Sequence, residues 1–281
     1  MSDLHSINEA INKRAGRKLG PSIAVSFFLL ALIWFALAYE RVIFAGLVTV
    51  AVILGLREMR MALSASNIAI SFKALTLATL GLGYASWVGG VAGLAIATAI
   101  AFPCLLIWLL REGPEQFVAK ATATSLALIY LPFLAGFLIL LARPSNGFAQ
   151  VMTFVVLVGC NDTFGYFVGV LIGKHPMAPK ISPKKSWEGL VGSMIFTPIG
   201  GALTFHYILD LDWRIGVIAG LMTVFTATSG DLIESAIKRD LSLKDMGNLL
   251  PGHGGILDRL DSVLLSAPAL WLALELVKRY L

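Results

Sequence analysis

The chain has 281 residues, 57% of them hydrophobic and only 14% charged, with a formal net charge of +5. An ordinary soluble domain is roughly 45 to 50% apolar, so this composition excludes a soluble globular protein and indicates an integral membrane one. Cys104 and Cys160 are the only cysteines and both sit in apolar runs, which argues against a disulfide framework.

Residues 1–20 are polar, with Ile7 and Ile11 at helical spacing and Lys13, Arg14, Arg17 and Lys18 clustered before Gly20-Pro21. They are expected to form a cytoplasmic segment, an amphipathic helix lying on the membrane surface. The first apolar run, 23–39, contains Ala36-Leu37-Ala38 and has a rival reading as a cleaved signal peptide. The next run begins directly after Glu40-Arg41, as in a tight helical hairpin, and favours a retained span. Further spans are expected at 42–56, 74–88, 91–110, 121–141, 151–172, 190–209, 215–233 and 262–280. Each approaches the ~20 residues a bilayer core demands. The expected fold class is therefore all-α, a polytopic membrane protein with about nine transmembrane helices. Residues 21–281 read as a single transmembrane domain whose motifs lie in the half 150–281. The third and fourth spans, rich in Gly, Ala, Ser and Thr, suit close helix contact in lipid.

With a cytoplasmic N-terminus, only Arg41, Arg143, Arg214, Lys278 and Arg279 of the 22 basic residues fall on the far side, as the positive-inside rule requires. Two polar segments, 174–189 and 238–261, then share the cytoplasmic face. Arg143 is expected to stand away from any chemistry there.

Charge is concentrated in the second of these segments and in the helix end before it. Asp258 and Asp261 stand three apart after Gly254-Gly255, so a helix starting there projects both from one face of its first turn. Paired carboxylates with phosphate oxygens are the usual way to hold Mg²⁺. The glycines and the helix N-terminus would favour an anion. Asp231 and Glu234 repeat the spacing on the preceding span. The alternative is that all four are helix-end carboxylates paired with Lys238 and Arg259. Lys238, Arg239, Lys244 and Arg259 surround the acids, and Ser182-Pro183-Lys184-Lys185-Ser186-Trp187-Glu188-Gly189 supplies a second basic cluster. Alone, such clusters are topology determinants or lipid headgroup contacts. Interleaved with acids they suit a metal-bound polyphosphate. Asp162, beside Asn161 and Thr163 within an apolar run, faces a polar cavity or serves a structural hydrogen bond; His253 is a candidate phosphate ligand or proton carrier. No GxxxxGK[ST], HExxH or Ser-His-Asp pattern occurs, which removes the common hydrolase and protease readings.

Residues Ser235, Lys238, Arg239, Lys244, Asp245, Pro251, His253, Gly254, Gly255, Asp258, Arg259 and Asp261 meet, without departure, the signature of phosphatidate cytidylyltransferases, also called CDP-diacylglycerol synthases. Over residues 235–261 the chain strongly resembles that family. Residues 182–189 are similar to its upstream element, with Ser186 where threonine is common. The resemblance implies a helical, homodimeric membrane enzyme; the charge count sets its site facing the cytoplasm, and the compact chain reads as one of a bacterial plasma membrane. Its substrates would be CTP and phosphatidic acid, with Mg²⁺, a second cation and membrane lipids but no nucleic acid. It implies metal binding by Asp231, Asp258 and Asp261, and polyphosphate neutralisation by Lys238, Arg239 and Arg259. Ser182, Lys184, Lys185, Ser186, Lys244, His253, Gly254 and Gly255 would contact substrates, the lipid phosphate or the nucleotide. A CTP-dependent polyprenol or phytol kinase is the nearest alternative. An ion transporter using Asp162 and Asp231 is the alternative from another class.

Overall fold

A computed structural model describes residues 19–247, 249 and 254–280, and of residues 19–26 the backbone alone. The amphipathic segment expected at residues 1–20 lies outside the described residues except for Leu19 and Gly20, which open the first helix; His253 lies outside them too. Helix α1 (Leu19–Tyr39) and helix α2 (Arg41–Ala65) are separated by one extended residue, Glu40. Phe72–Leu109, here α3, is continuous by hydrogen bonding but broken at Gly90, where φ is 64° and ψ −150°. A side chain on Gly93 would collide with the Ala85 carbonyl oxygen. Residues eight apart in an unbroken helix are about 12 Å from each other, so the chain doubles back here, between the two spans the sequence separates.

Helix α4 (Phe117–Leu128) runs through a π turn (Ile129–Phe133) into α5 (Leu134–Ala142). The π turn holds Pro132, whose missing N–H interrupts the regular ladder. Then follow α6 (Gly147–Ile172), a hairpin of β1 (Pro176–Ala178) and β2 (Ser182–Ser186), α7 (Trp187–Tyr207), α8 (Trp213–Asp240) and α9 (Leu257–Tyr280). The strands pair antiparallel, Pro176 opposite Ser186 and Ala178 opposite Ser182. They are the only sheet among the described residues and occupy what reads in sequence as plain loop.

Among the described residues six helical stretches are long and apolar enough to cross a membrane: Arg41–Ala65, Phe72–Glu112, Phe117–Ala142, Gly147–Ile172, Trp213–Asp240 and Leu257–Tyr280. Large apolar side chains such as Phe35, Tyr84, Ile96 and Ile218 point outward, an arrangement that suits lipid and not water. Several hydroxyls inside the bundle are satisfied within their own helix: Thr49, Thr79, Ser86 and Thr223 each donate to the carbonyl four residues back.

Helix α7 packs most extensively, against α6 on one side and α8 on the other. The closest backbone approaches lie in this half of the chain. Side chains on Gly201 or Gly216 would each strike the other's carbonyl, and one on Gly230 would strike the carbonyl of Asp261. Close approach also joins the third and fourth expected spans, where Gly93 meets the Ala85 carbonyl and Gly83 meets Thr49, while Gly81 and Gly89 border open space. Where α1 meets α2, Arg41 donates to the Arg143 carbonyl at 3.0 Å and to that of Pro144. Arg143 in turn donates to Trp87 O (2.8 Å) and Val88 O (3.2 Å), the carbonyls left open by the break at Gly90.

Candidate active site at the crossing of α8 and α9

Helix α8 runs seven residues past the expected end of its span, and α9 starts five before its own. Half of the signature residues, Lys238, Asp258 and Asp261 among them, therefore lie on two helices instead of in a loop. Gly230 lets α8 lie directly on α9 at Asp261, which places Asp231 beside the crossing. The charges of Asp231 and Asp162 act on Asp261 across this contact. Asp162, accessible from outside, accepts from Asn161 Nδ2 (3.0 Å) and from Ser262 Oγ (3.2 Å), so α6 is tied to α9 next to Asp261. Asp261 itself accepts from the Ser262 amide at 2.6 Å.

Asp258 has different surroundings. Its oxygens accept from Gly255 N (2.7 Å), from Met246 N (3.1 Å) and from Lys238 Nζ (2.9 Å). Lys238 also stands 2.5 Å from Glu234 Oε2 in an ion pair that lacks hydrogen-bond geometry, and Glu234 Oε1, fully buried, has no hydrogen-bond partner. One ammonium thus faces two buried carboxylates, and negative charge is in excess. The expected trio of Asp231, Asp258 and Asp261 is divided: Asp258 is drawn to Lys238 and to backbone amides, while Asp231 and Asp261 share the α8–α9 crossing. Among the described residues no three His, Cys, Asp or Glu side chains form a ready-made metal-holding group.

The backbone anion cradle expected at the start of α9 is filled from within. Gly255 N is held by Asp258, while Ile256 N (3.0 Å) and Leu257 N (2.9 Å) are held by Glu58 of α2. Positive charge for a phosphate must therefore come from side chains. Gly254, with φ of 79°, has to be glycine: a side chain there would press on Asp258 Oδ2 at 2.9 Å.

The hairpin brings the second basic cluster to the same place. Lys185 Nζ pairs with Asp231 Oδ2 at 2.7 Å, and Arg239 Nε donates to Ile181 O at 3.2 Å. Lys184, Arg239 and Lys244 are exposed, and Arg259 is half-buried in the first turn of α9. Ser186 is the N-cap of α7, accepting from Gly189 N at 3.1 Å, so its oxygen is committed to the helix start. Ser182 opens β2 at the far end of the strand from Ser186. Glu188, next along, accepts from His175 Nδ1 at 2.6 Å, and this bond holds its carboxyl well below its ordinary value, at about 2. The pair clasps the base of the hairpin.

Sequence reasoning misses two members of this region. Glu58 is 3% exposed and reaches the α9 start from the other half of the chain. Its signal is a lone acid between Arg57 and Arg60 in an otherwise apolar helix, and intramembrane acids are functional candidates by default. Tyr130, in the π turn, has a buried hydroxyl without a hydrogen-bond partner, within reach of the charges of Glu234, Asp261 and Asp231. An aromatic residue in an apolar run gives no such signal.

The pattern that defines the cytidylyltransferase family matches residues 22–277. A phosphatidate cytidylyltransferase of Mycobacterium bovis is 34% identical over 278 residues, covering 94% of this chain and 90% of that protein. One from Mycobacterium leprae is 35% identical over 284 residues, with the same two shares. One from Thermotoga maritima is 33% identical over 176 residues, 59% of this chain and 64% of that protein. The matched stretch takes in every helix that carries an acid or base of the crossing, and the chain belongs to the cytidylyltransferase family.

Proposed function

We propose that this protein transfers CMP from CTP to phosphatidic acid, giving CDP-diacylglycerol and pyrophosphate for phospholipid synthesis. A phosphate oxygen of the lipid attacks the α-phosphorus of CTP, and the bond from that phosphorus to the oxygen bridging it to the β-phosphate breaks. The phosphate monoester is already anionic at neutral pH, so the nucleophile needs no strong base. Two anions must be brought together, and the site's task is neutralisation. The observation that carries this reading is the pairing of Lys185 with Asp231, which, with Arg239 on the Ile181 carbonyl, joins the hairpin to the acidic end of α8 in one acid–base cluster beside apolar helices.

Asp231 and Asp261 would hold a divalent cation with Asp162 adjoining, while Asp258, held by Lys238 and the Gly255 and Met246 amides, would set the turn beside them. This donor set fits Mg²⁺, which commonly takes one or two carboxylates and leaves its other positions to water and phosphate oxygens. The buried acid excess around Glu234 is what such an ion, or a second cation beside it, would offset. When bound, the ion supplies charge stabilisation for the phosphates and the departing pyrophosphate. Lys238 and Arg259 then act on the polyphosphate from the helices. Arg239, Lys244 and Lys184 act from the exposed rim, and Lys185 and Ser182 present the hairpin to the lipid phosphate or the nucleotide. Gly254 and Gly255 act by shaping the turn, and His253 lies beside them in sequence.

Nine crossings follow if the break at Gly90 divides α3 and if α1 and α7 span as well. The positive-inside balance then supports a site on the cytoplasmic face, and the bacterial relatives support a bacterial plasma membrane. The homodimer that the resemblance implies is checked by light scattering in detergent. Incubating purified protein with CTP, phosphatidic acid and Mg²⁺ and weighing the lipid product tests the reaction. A CMP-bearing lipid with pyrophosphate is expected. CDP with a phosphorylated lipid alcohol would establish the kinase instead, and ion flux in proteoliposomes without nucleotide would establish the transporter.

A further inference from the structure

We propose that Glu58 is a positioning residue for the reaction centre: from α2 it fixes the first turn of α9 and both shoulders of the 248–253 segment. The proposal rests on the reading of the α8–α9 crossing as the active site. Glu58 is buried, and a carboxylate placed within an apolar helix is costly unless fully partnered. Its partners are the Ile256 and Leu257 amides at 3.0 and 2.9 Å, about 200 residues away in sequence. There it meets the positive end of the α9 dipole. A side chain at either Gly247 or Gly255 would collide with the Glu58 carboxylate, so the chain closes on it before and after the 248–253 segment. Asp258 takes the neighbouring amides of Gly255 and Met246. The two carboxylates therefore share out the donors of this turn, and together they set the rotation of α9 that aims Asp261 at Asp231. Both Glu58 oxygens are committed, so it acts through the helix and touches no substrate.

Glu58→Gln keeps the shape but replaces one acceptor with a donor that faces an N–H. Displacement of the acids should lower kcat about 10- to 100-fold, since small misplacements at a reacting centre are felt in the transition state. The KM values for CTP and phosphatidic acid should stay within about threefold. Hydrogen exchange in peptides covering residues 254–260 should quicken while α6 and α7 peptides hold, and the detergent melting temperature should fall modestly because two amides lose an ionised acceptor. Wild-type kcat, or unchanged exchange at 254–260, overturns the proposal. So does a lower melting temperature with normal kcat per folded molecule, which marks a merely structural residue. If the variant does not fold, the wild-type protein decides. The Ile256 and Leu257 amides should exchange at least about 10²-fold slower than free peptide, and exchange at the free rate overturns the assignment. Exchange is read without substrates, so it stands apart from the CMP-transfer assay, whose failure would instead remove the proposed function.

Discussion

Helix α2 begins at Arg41 and reaches Glu58 some 25 Å further along its axis, and the two residues belong to opposite kinds of structure. At the Arg41 end, guanidinium groups are directed onto carbonyls: Arg41 onto those of Arg143 and Pro144, Arg143 onto those of Trp87 and Val88. At the Glu58 end, carboxylates are directed onto amides, Glu58 onto Ile256 and Leu257, Asp258 onto Gly255 and Met246. Both arrangements satisfy backbone groups that a broken or starting helix leaves open. The difference lies in what remains. Around α9 further acids, Asp162, Asp231, Glu234 and Asp261, crowd each other after the amides are satisfied. Charge absorbed by the backbone holds the fold, and charge in surplus is available for chemistry.

The comparison breaks most readily at Asp261. Asp261→Asn should lower kcat for CMP transfer by about 10³-fold or more. Its melting temperature should hold or rise, because a like charge is removed beside Asp231 and Asp162. Retained turnover would mean that the surplus is not the catalytic charge. Asp258→Asn should combine both kinds of effect: turnover down by about 10²-fold or more and a lower melting temperature, because the amides of Met246 and Gly255 lose an ionised acceptor. A pure loss of activity would show that Asp258 does not organise the turn. Arg143→Gln should be the converse, costing about 1–3 kcal/mol of stability in a detergent unfolding assay as the Gly90 corner loses its donors. Its kcat per folded molecule should be unchanged. From sequence alone that variant reads as a control for catalysis, and the fold adds that its side chain holds the Gly90 corner.

The smallest effect belongs to Glu188. A carboxyl held at about 2 against an ordinary 4.5 gives its clasp in full above the higher value and loses it as pH falls toward the lower. Pepsin nicking of the hairpin should therefore accelerate across that interval in the wild type, and Glu188→Gln should flatten the dependence. At neutral pH the variant's turnover should change by no more than about threefold. An unaltered acid profile would detach the His175 contact from hairpin order.

Much of this was legible in the sequence because it is local. Apolar runs give the helices, Gly89-Gly90 separates two of them, and the spacing of Asp258 and Asp261 puts both on one face of α9. The meeting of Lys185 with Asp231 follows the charge count that placed both segments on one face. What was not legible is long-range. Nothing near Glu58 announces that it ends a helix in the other half of the chain, and the glycine-flanked start of α9 looks like an open phosphate cradle until Glu58 is seen in it. The commitment of Lys238 to two acids and the filling of the Gly90 corner by Arg143 are equally invisible to periodicity, because each depends on which helices become neighbours.

The contact between Lys185 and Asp231 would govern what the proposed site admits at rest. An anion arriving alone could recruit the lysine only by stranding the carboxylate, and a bare cation would strand the lysine. A nucleotide arriving already complexed to its counter-ion offers a replacement for each half of the bridge at once. Under the proposed function the bridge would therefore open most easily for the complexed nucleotide, and the resting protein would discriminate by the company a phosphate keeps as well as by the phosphate itself.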